Sequence, residues 1–237
     1  MGNSKDLLAL NQQFFDLDLR GAEKQLARGE AWGAARNYAR LPHYRFYSAL
    51  LLWRRGEDPR GYIEQGLRVL EDHAPSLMDE VPEMGPSNFH LEVGAVFAFL
   101  IGRPYFHDLR PEDIGYPDGR LTVHLLQALN ERLDRPAMEA ELEAFERNKR
   151  HALAAKTYGN YFDILDAAAE DRPVDDLIRQ AGRFYDMRAK NAFYSGGPKL
   201  EGGGPGNGDL IDYRLGAVLK CIGYRGDLVH AWRWGEA

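Results

Sequence analysis

Apolar side chains recur three and four positions apart along most of this chain, and that spacing predicts one amphipathic helix after another rather than strands. Leu7, Leu10, Phe14 and Leu17, with Leu8, Phe15, Ala22 and Leu26, make a stripe over residues 5–28, and Ser4 offers an oxygen to the first unpaired amides. A second helical stretch, residues 32–55, is interrupted at Leu41-Pro42, because proline lacks the amide and disfavours helix in the residue before it. Two helices meeting at a bend are expected there. Asp58-Pro59 then starts a helix through residue 72 that carries Tyr62, Ile63, Leu67 and Leu70. After the break at Gly85-Pro86-Ser87, residues 89–101 are almost continuously apolar, which predicts a core helix buried on most sides. Prolines at 104, 111 and 117 predict an irregular connection over 102–119. Helices resume at 120–133, at 136–158 continuing to 169, at 173–193 and at 209–222. A glycine-rich loop at 195–208 precedes the last of these, and 224–234 reads as a short strand or ordered coil.

Landmarks in the first half return in the second. Ile63-Glu-Gln65-Gly-Leu-Arg68 is echoed by Ile178-Arg-Gln180-Ala-Gly-Arg183, each inside a helix started at proline. Gly94-Ala95-Val96 with Ile101-Gly102-Arg103 is echoed by Gly216-Ala217-Val218 with Ile222-Gly223-Tyr224-Arg225. The expected fold is all-α, a single helical domain over residues 1–237. Its helical hairpins would pack as two degenerate repeat halves, about 44–103 and 158–225, around a buried core helix. The period is too long and irregular for a tetratricopeptide array.

With 237 residues, 44% hydrophobic and 28% charged, the composition is that of a globular chain. No apolar run approaches the roughly 20 residues that cross a bilayer, and the N-terminus lacks a signal peptide's apolar region, so no membrane partner is expected. A lone cysteine, Cys221, excludes an intrachain disulfide and fits a reducing compartment, hence the cytoplasm. The net charge of −6 argues against direct nucleic-acid binding and favours a basic protein partner. Arginine outnumbers lysine, a bias that a GC-rich coding sequence also produces.

Motifs for chemistry are few. The glycine-rich loop has no Gly-Lys-Ser/Thr ending and no preceding strand, and Glu201 and Asp209 would repel a phosphate, so it reads as a mobile surface loop, of a kind able to order against a partner. No histidines stand in a His-Glu-x-x-His arrangement. His90-Leu-Glu92 is among the nearest acid–histidine pairs, but residues two apart on a helix point in different directions. His124 reads as a partly buried, hydrogen-bonded side chain and Cys221 as a packed thiol, and no serine lies in a nucleophile elbow. No catalytic residue, metal ligand or cofactor is assigned. Carboxylates are the strongest polar signal. Asp79, Glu80 and Glu83 cluster beside Pro82, while Asp163, Asp166 and Glu170 share one helix face. These six, with Lys199 and Glu201 in the glycine-rich loop, are the candidate partner-binding residues, set against the plainer reading of a solvated surface. Trp232 and Trp234 near the end are further candidate anchors.

Residues 44–58, YRFYSALLLWRRGED, and 215–232, LGAVLKCIGYRGDLVHAW, resemble all-helical immunity proteins paired with bacterial contact-delivered (polymorphic or type VI secreted) toxins. The resemblance covers about a third of the chain. It rests on an aromatic-aliphatic helix ending in Gly-acid and on the last core helix with its exit turn. It implies a non-enzymatic protein that binds a cognate toxin, encoded by an adjacent gene, and occludes its active site; the acidity suits a nuclease toxin with a basic cleft. Two other classes stay open: a helical-repeat adaptor with several partners, and a helical hydrolase using carboxylate-bound metal.

Overall fold

The computed structural model describes residues 4–148, 151–190 and 212–226, and all regular structure in them is helical. The chain divides into two compact units, Met1–Leu109 and Arg110–Ala237. Their boundary falls inside the proline-rich connection. No helix among the described residues is long and apolar enough to cross a membrane.

The first unit contains α1 (Ser4–Leu26), α2 (Ala31–Tyr38), α3 (Leu41–Arg54), α4 (Arg60–Glu80) and α5 (Leu91–Ile101). Within it α1 packs on α2 and α3, α4 packs on α2 and α3, and α5 lies against α4. The α1–α3 seam is largely polar: Asn11 donates to Ser48 at 3.2 Å, Tyr44 donates to Asp18 at 2.9 Å, and Arg45 donates to Gln12 at 2.6 Å. The Arg45 guanidinium also lies 3.5 Å from the centre of the Phe15 ring. That choice of face keeps Phe15 and Ala22 of the expected stripe but leaves Leu10 and Leu17 outside it. Asn11, Phe15 and Ala22 are buried, whereas Leu10 and Leu17 are 37% and 58% exposed, because the polar partners on α3 select a stripe rotated away from the leucines. Aromatic packing closes the centre. Phe46 of α3 stacks on Phe97 of α5 at 4.5 Å, and Gly66 on α4 makes room, since a Cβ there would sit 2.6 Å from the Phe46 ring. Buried residues occur all round α5, including Leu91, Val96, Phe97 and Leu100, in keeping with its continuous apolar run.

The second unit contains α6 (Pro117–Leu129), α7 (Arg135–Arg147), α8 (Ala152–Ala169), α9 (Asp175–Lys190) and α10 (Tyr213–Cys221), with a 3₁₀ turn at Pro111–Asp113. Here α6 packs on α7 and α8, α8 also on α7 and α9, and α10 on α6 and α8. Tyr158 and Tyr161, both fully buried on α8, meet edge to face at 5.6 Å. Their hydroxyls enter a polar network. Tyr161 donates to Asp212, which caps α10 by accepting from the Leu215 amide at 3.2 Å. Tyr158 lies 2.7 Å from the Thr122 hydroxyl, and Arg214 donates to Thr122 at 3.0 Å and to Asp118 at 3.3 Å.

Two boundaries differ from the sequence expectation. The helix expected to stop at 72 continues to Glu80 with Pro75 inside it, because Ala74 and Leu77 on the same face are buried and that packing outweighs the missing amide bond. The continuous helix expected over 136–169 is instead α7 and α8. Asn148 leaves helical geometry at ψ 107°, and Phe145 stacks on His151 across the break at 4.7 Å. The expected loop at 195–208 and the tail beyond residue 226 lie outside the described residues.

Six helices end alike. After α1, α3, α5, α6, α8 and α10, one residue turns left-handed and the next amide reaches back to a carbonyl five residues earlier. The bonds are Glu30 to Gln25, Glu57 to Leu52, Arg103 to Ala98, Arg132 to Gln127, Arg172 to Ala167 and Tyr224 to Leu219, all at 2.8–3.0 Å. The left-handed residue is Gly29, Gly56, Gly102 and Gly223 in four cases, but Glu131 and Asp171 in two. A side chain there costs about 1–2 kcal/mol. Glu131→Gly and Asp171→Gly should therefore each raise the melting temperature by about 2–4 °C, measured by thermal denaturation, whereas Gly56→Ala should lower it.

Candidate functional site

Both candidate acidic clusters occupy the C-terminal ends of helices. Asp79 and Glu80 form the last turn of α4 and Glu83 follows just beyond; all three are exposed, and that last turn carries no basic residue. A helix C-terminus carries roughly half a negative charge, so each carboxylate there is destabilising by about 0.3–1 kcal/mol. No ion pair relieves them among the described residues. On α8, Asp163, Asp166 and Glu170 also gather toward the C-terminal end. Two of those charges are locally answered: Arg135 grips Asp166 with both guanidinium nitrogens, at 2.9 and 2.5 Å, and Arg172 contacts Glu170 at 2.6 Å. Desolvation, and then Asp166, raise the pKa of Asp163. Lys199 and Glu201 lie outside the described residues.

The interior holds titratable groups that sequence spacing did not bring together. His90 is not on a helix but caps α5 in the left-handed region, with φ 49°. The helical-wheel reason for separating it from Glu92 therefore does not apply, and its Nδ1 stands 3.8 Å from a Glu92 carboxylate that is 1% exposed. His43 of α3 meets the His90 ring edge-on at 4.6 Å. Burial, reinforced by His90, holds the His43 imidazole down at about 3. The Tyr105 hydroxyl is buried without a hydrogen-bond partner and lies 2.7 Å from where a Cβ on Gly94 would stand. Burial, then the charges of Glu92 and Glu71, raise its pKa well above the usual phenol range. No group of three or more His, Cys, Asp or Glu among the described residues is arranged to hold a metal ion. Within the cluster the Glu92 carboxylate is almost fully buried, whereas the His90 side chain is 36% exposed.

A cleft of about 420 Å³ opens in the second unit. Phe162 and Leu165 of α8 form its apolar wall, Ala128, Ala169 and Ile222 lie at the ends of three helices around it, and the Arg135–Asp166 pair stands at its rim. Cys221 also borders it. Contrary to the packed thiol expected from its apolar neighbours, Cys221 is exposed, because it is the last residue of α10. Sequence reasoning passed over this cleft. Its lining is small and apolar, and the segments that build it are as far apart as residues 128 and 222.

No family model, curated protein or solved structure matches this chain.

His43 fixes a pH dependence. Its folded pKa lies below the unfolded value of 6.5, so its contribution is complete above about pH 6.5 and is lost as pH falls from there toward 3, by at most about 1.4 kcal/mol per pH unit. Burial shifts His73 and His124 the same way. Urea denaturation at pH 7 and pH 5 should show the wild type losing more stability than His43→Phe over that interval, with a residual slope from the other two histidines.

Proposed function

We propose that this chain is an immunity protein, cytoplasmic and non-catalytic, that binds and neutralises a cognate toxin through its acidic surfaces. The observation that carries this reading is the placement of Asp79, Glu80 and Glu83. Three exposed carboxylates stand where the α4 dipole opposes them, and that last turn carries no basic residue. A basic surface arriving there relieves the repulsion, so charges that cost folding stability favour association and speed encounter. The net charge of −6 extends the same attraction over the whole molecule. A nuclease, whose cleft is basic because it holds phosphates, is the toxin class such a surface fits best; occupying that cleft blocks substrate entry without chemistry by the inhibitor.

The scaffold reading belongs with this proposal. Each unit runs helix, left-handed turn, helix, then helix, left-handed turn, helix, and then a fifth helix ending in a left-handed turn. Residues 44–103 and 158–225 fall on the matching parts of that order. This supports two degenerate repeat halves, each presenting its own acidic helix end. The resemblance of residues 44–58 and 215–232 to helical immunity proteins supports the same conclusion.

The test is co-expression with the product of the adjacent gene. That product should arrest growth alone and be tolerated when this chain is present; a harmless neighbour, or undiminished toxicity, sinks the proposal. Capture of several unrelated proteins without a toxic neighbour would point to an adaptor instead. The combined variant Asp79→Asn, Glu80→Gln, Glu83→Gln should bind the toxin at least tenfold more weakly, by calorimetry, while melting at or above the wild-type temperature. A variant that binds as tightly as wild type would remove α4 from the interface.

A further inference from the structure

Helices α1 and α2 meet antiparallel along a narrow seam. Asn37 donates to Gln25 at 2.8 Å, the Gln25 amide group lies 2.6 Å from where a Cβ on Gly33 would stand, and Asn37 lies 3.0 Å from the same point on Gly21. Successive residues turn by about 100° around a helix, so the residue after a seam position falls on one side of the hairpin and the residue before it on the other. Ala22 of α1 and Ala34 and Tyr38 of α2 follow seam positions, and all three are buried. Arg20 and Lys24 of α1, and Trp32 and Arg36 of α2, precede them, and all four are exposed. The outer face also carries Leu17, with Leu10 two turns earlier, and Arg28 stands exposed in the turn that joins the helices. Leu17 and Trp32 are 58% and 53% exposed, so this face shows water more carbon than a soluble helix needs to.

Arg20, Lys24, Arg28 and Arg36 form no ion pair among the described residues, although Glu30 is two positions from Arg28. The other acids of the hairpin are turned elsewhere. Asp16 accepts from Gln12 at 2.8 Å, Asp18 accepts from Tyr44, and the charge of Glu23 acts on Tyr38 and His73. Tyr38 stacks on His73 at 3.9 Å, so α4 packs against the buried side of the hairpin, away from the cations. The cations suit the fold, since Lys24 and Arg36 stand in last turns where the helix dipole favours them. A chain of net charge −6 thus presents one face built of cations and large apolar side chains.

That combination matches an anionic bilayer surface, where lipid phosphates meet lysine and arginine while leucine and tryptophan enter between the headgroups. The Arg36 guanidinium lies 5.6 Å from the centre of the Trp32 ring, which keeps ring and charge side by side. Lying on a bilayer requires no helix long enough to cross it. Nucleic-acid phosphates would meet the cations equally well but give Leu10 and Leu17 no apolar partner. The separation of charge also orients the molecule at a flat anionic surface, with α4 turned away from it.

We propose that the outer face of the α1–α2 hairpin docks on an anionic lipid bilayer, with Arg20, Lys24, Arg28 and Arg36 on lipid phosphates and Leu17 and Trp32 among the headgroups. This contact lies apart from the acidic end of α4 and does not rest on the immunity reading.

Sedimentation of the full-length chain with vesicles of phosphatidylcholine alone, and of phosphatidylcholine and phosphatidylglycerol in equal parts, tests it. Binding to the anionic vesicles is expected at low salt, at least tenfold tighter than to the neutral ones and weakened by screening as salt is raised. The combined variant Arg20→Gln, Lys24→Gln, Arg36→Gln should lose at least tenfold in affinity for the anionic vesicles. It should keep the wild-type circular dichroism spectrum, because all three side chains are exposed. Leu17→Gln with Trp32→Gln should lose at least threefold while keeping every charge. The comparison variant Arg54→Gln, Arg60→Gln, Arg68→Gln removes three exposed cations from α3 and α4 and should change binding less than twofold, which separates this face from overall charge. No binding, equal binding to both vesicles, or equal losses from the two triple variants overturns the proposal. So does binding of a DNA duplex or of polyglutamate through the same cations without vesicle binding, which would give the face to nucleic acid or to an acidic protein.

Discussion

Everything in this fold depends on how its helices stop. A helix leaves its last four carbonyls unpaired, and here six helices satisfy one of them with the same return bond across a left-handed residue. That bond fixes the exit direction of the chain, so in four places the next helix folds back alongside the last and forms a hairpin. Once the reversals are set, packing follows from which faces are brought together: Phe46 onto Phe97 through the gap at Gly66, and Tyr158 against Tyr161 above the Thr122–Arg214–Asp118 network. The hairpins also place helix ends, with their partial charges, at defined points of each unit.

Charge placement connects this architecture to the proposed function. Helix C-terminal ends favour cations, yet the last turn of α4 carries acids and no basic residue. A chain selected for stability alone would put lysine or arginine in that turn. The negative charge gathered at the α4 end is a standing attraction for a basic partner, and the proposed toxin complex is its expression.

Most of the helical order was legible from residue spacing, because period and punctuation are local. Leu41-Pro42 separates α2 from α3, Asp58-Pro59 precedes α4 with Asp58 accepting from the Arg60 amide at 2.9 Å, and the apolar run of α5 is buried as its composition predicts. What stayed hidden depends on tertiary contact. Pro75 reads as a stop but lies inside a helix held by Ala74 and Leu77, and Glu131 and Asp171 take the left-handed role that sequence assigns to glycine. The break between α7 and α8 has no proline or glycine to announce it. Arg214 and Asp118 are 96 residues apart in the chain, and the cleft draws on residues from 128 to 222, so neither leaves a spacing pattern to find. The acidic clusters were visible as composition, but their opposition to the helix dipole required the helix boundaries.

The most direct measurement is hydrogen–deuterium exchange of the full chain alone and saturated with the protein encoded by the adjacent gene. The account predicts slowed exchange at the α4 end, residues 77–84, and at the α8 end, residues 163–170, with the face of α1 that carries Leu10 and Leu17 unchanged. Protection confined to α1, or spread evenly with no enrichment at those helix ends, would contradict it.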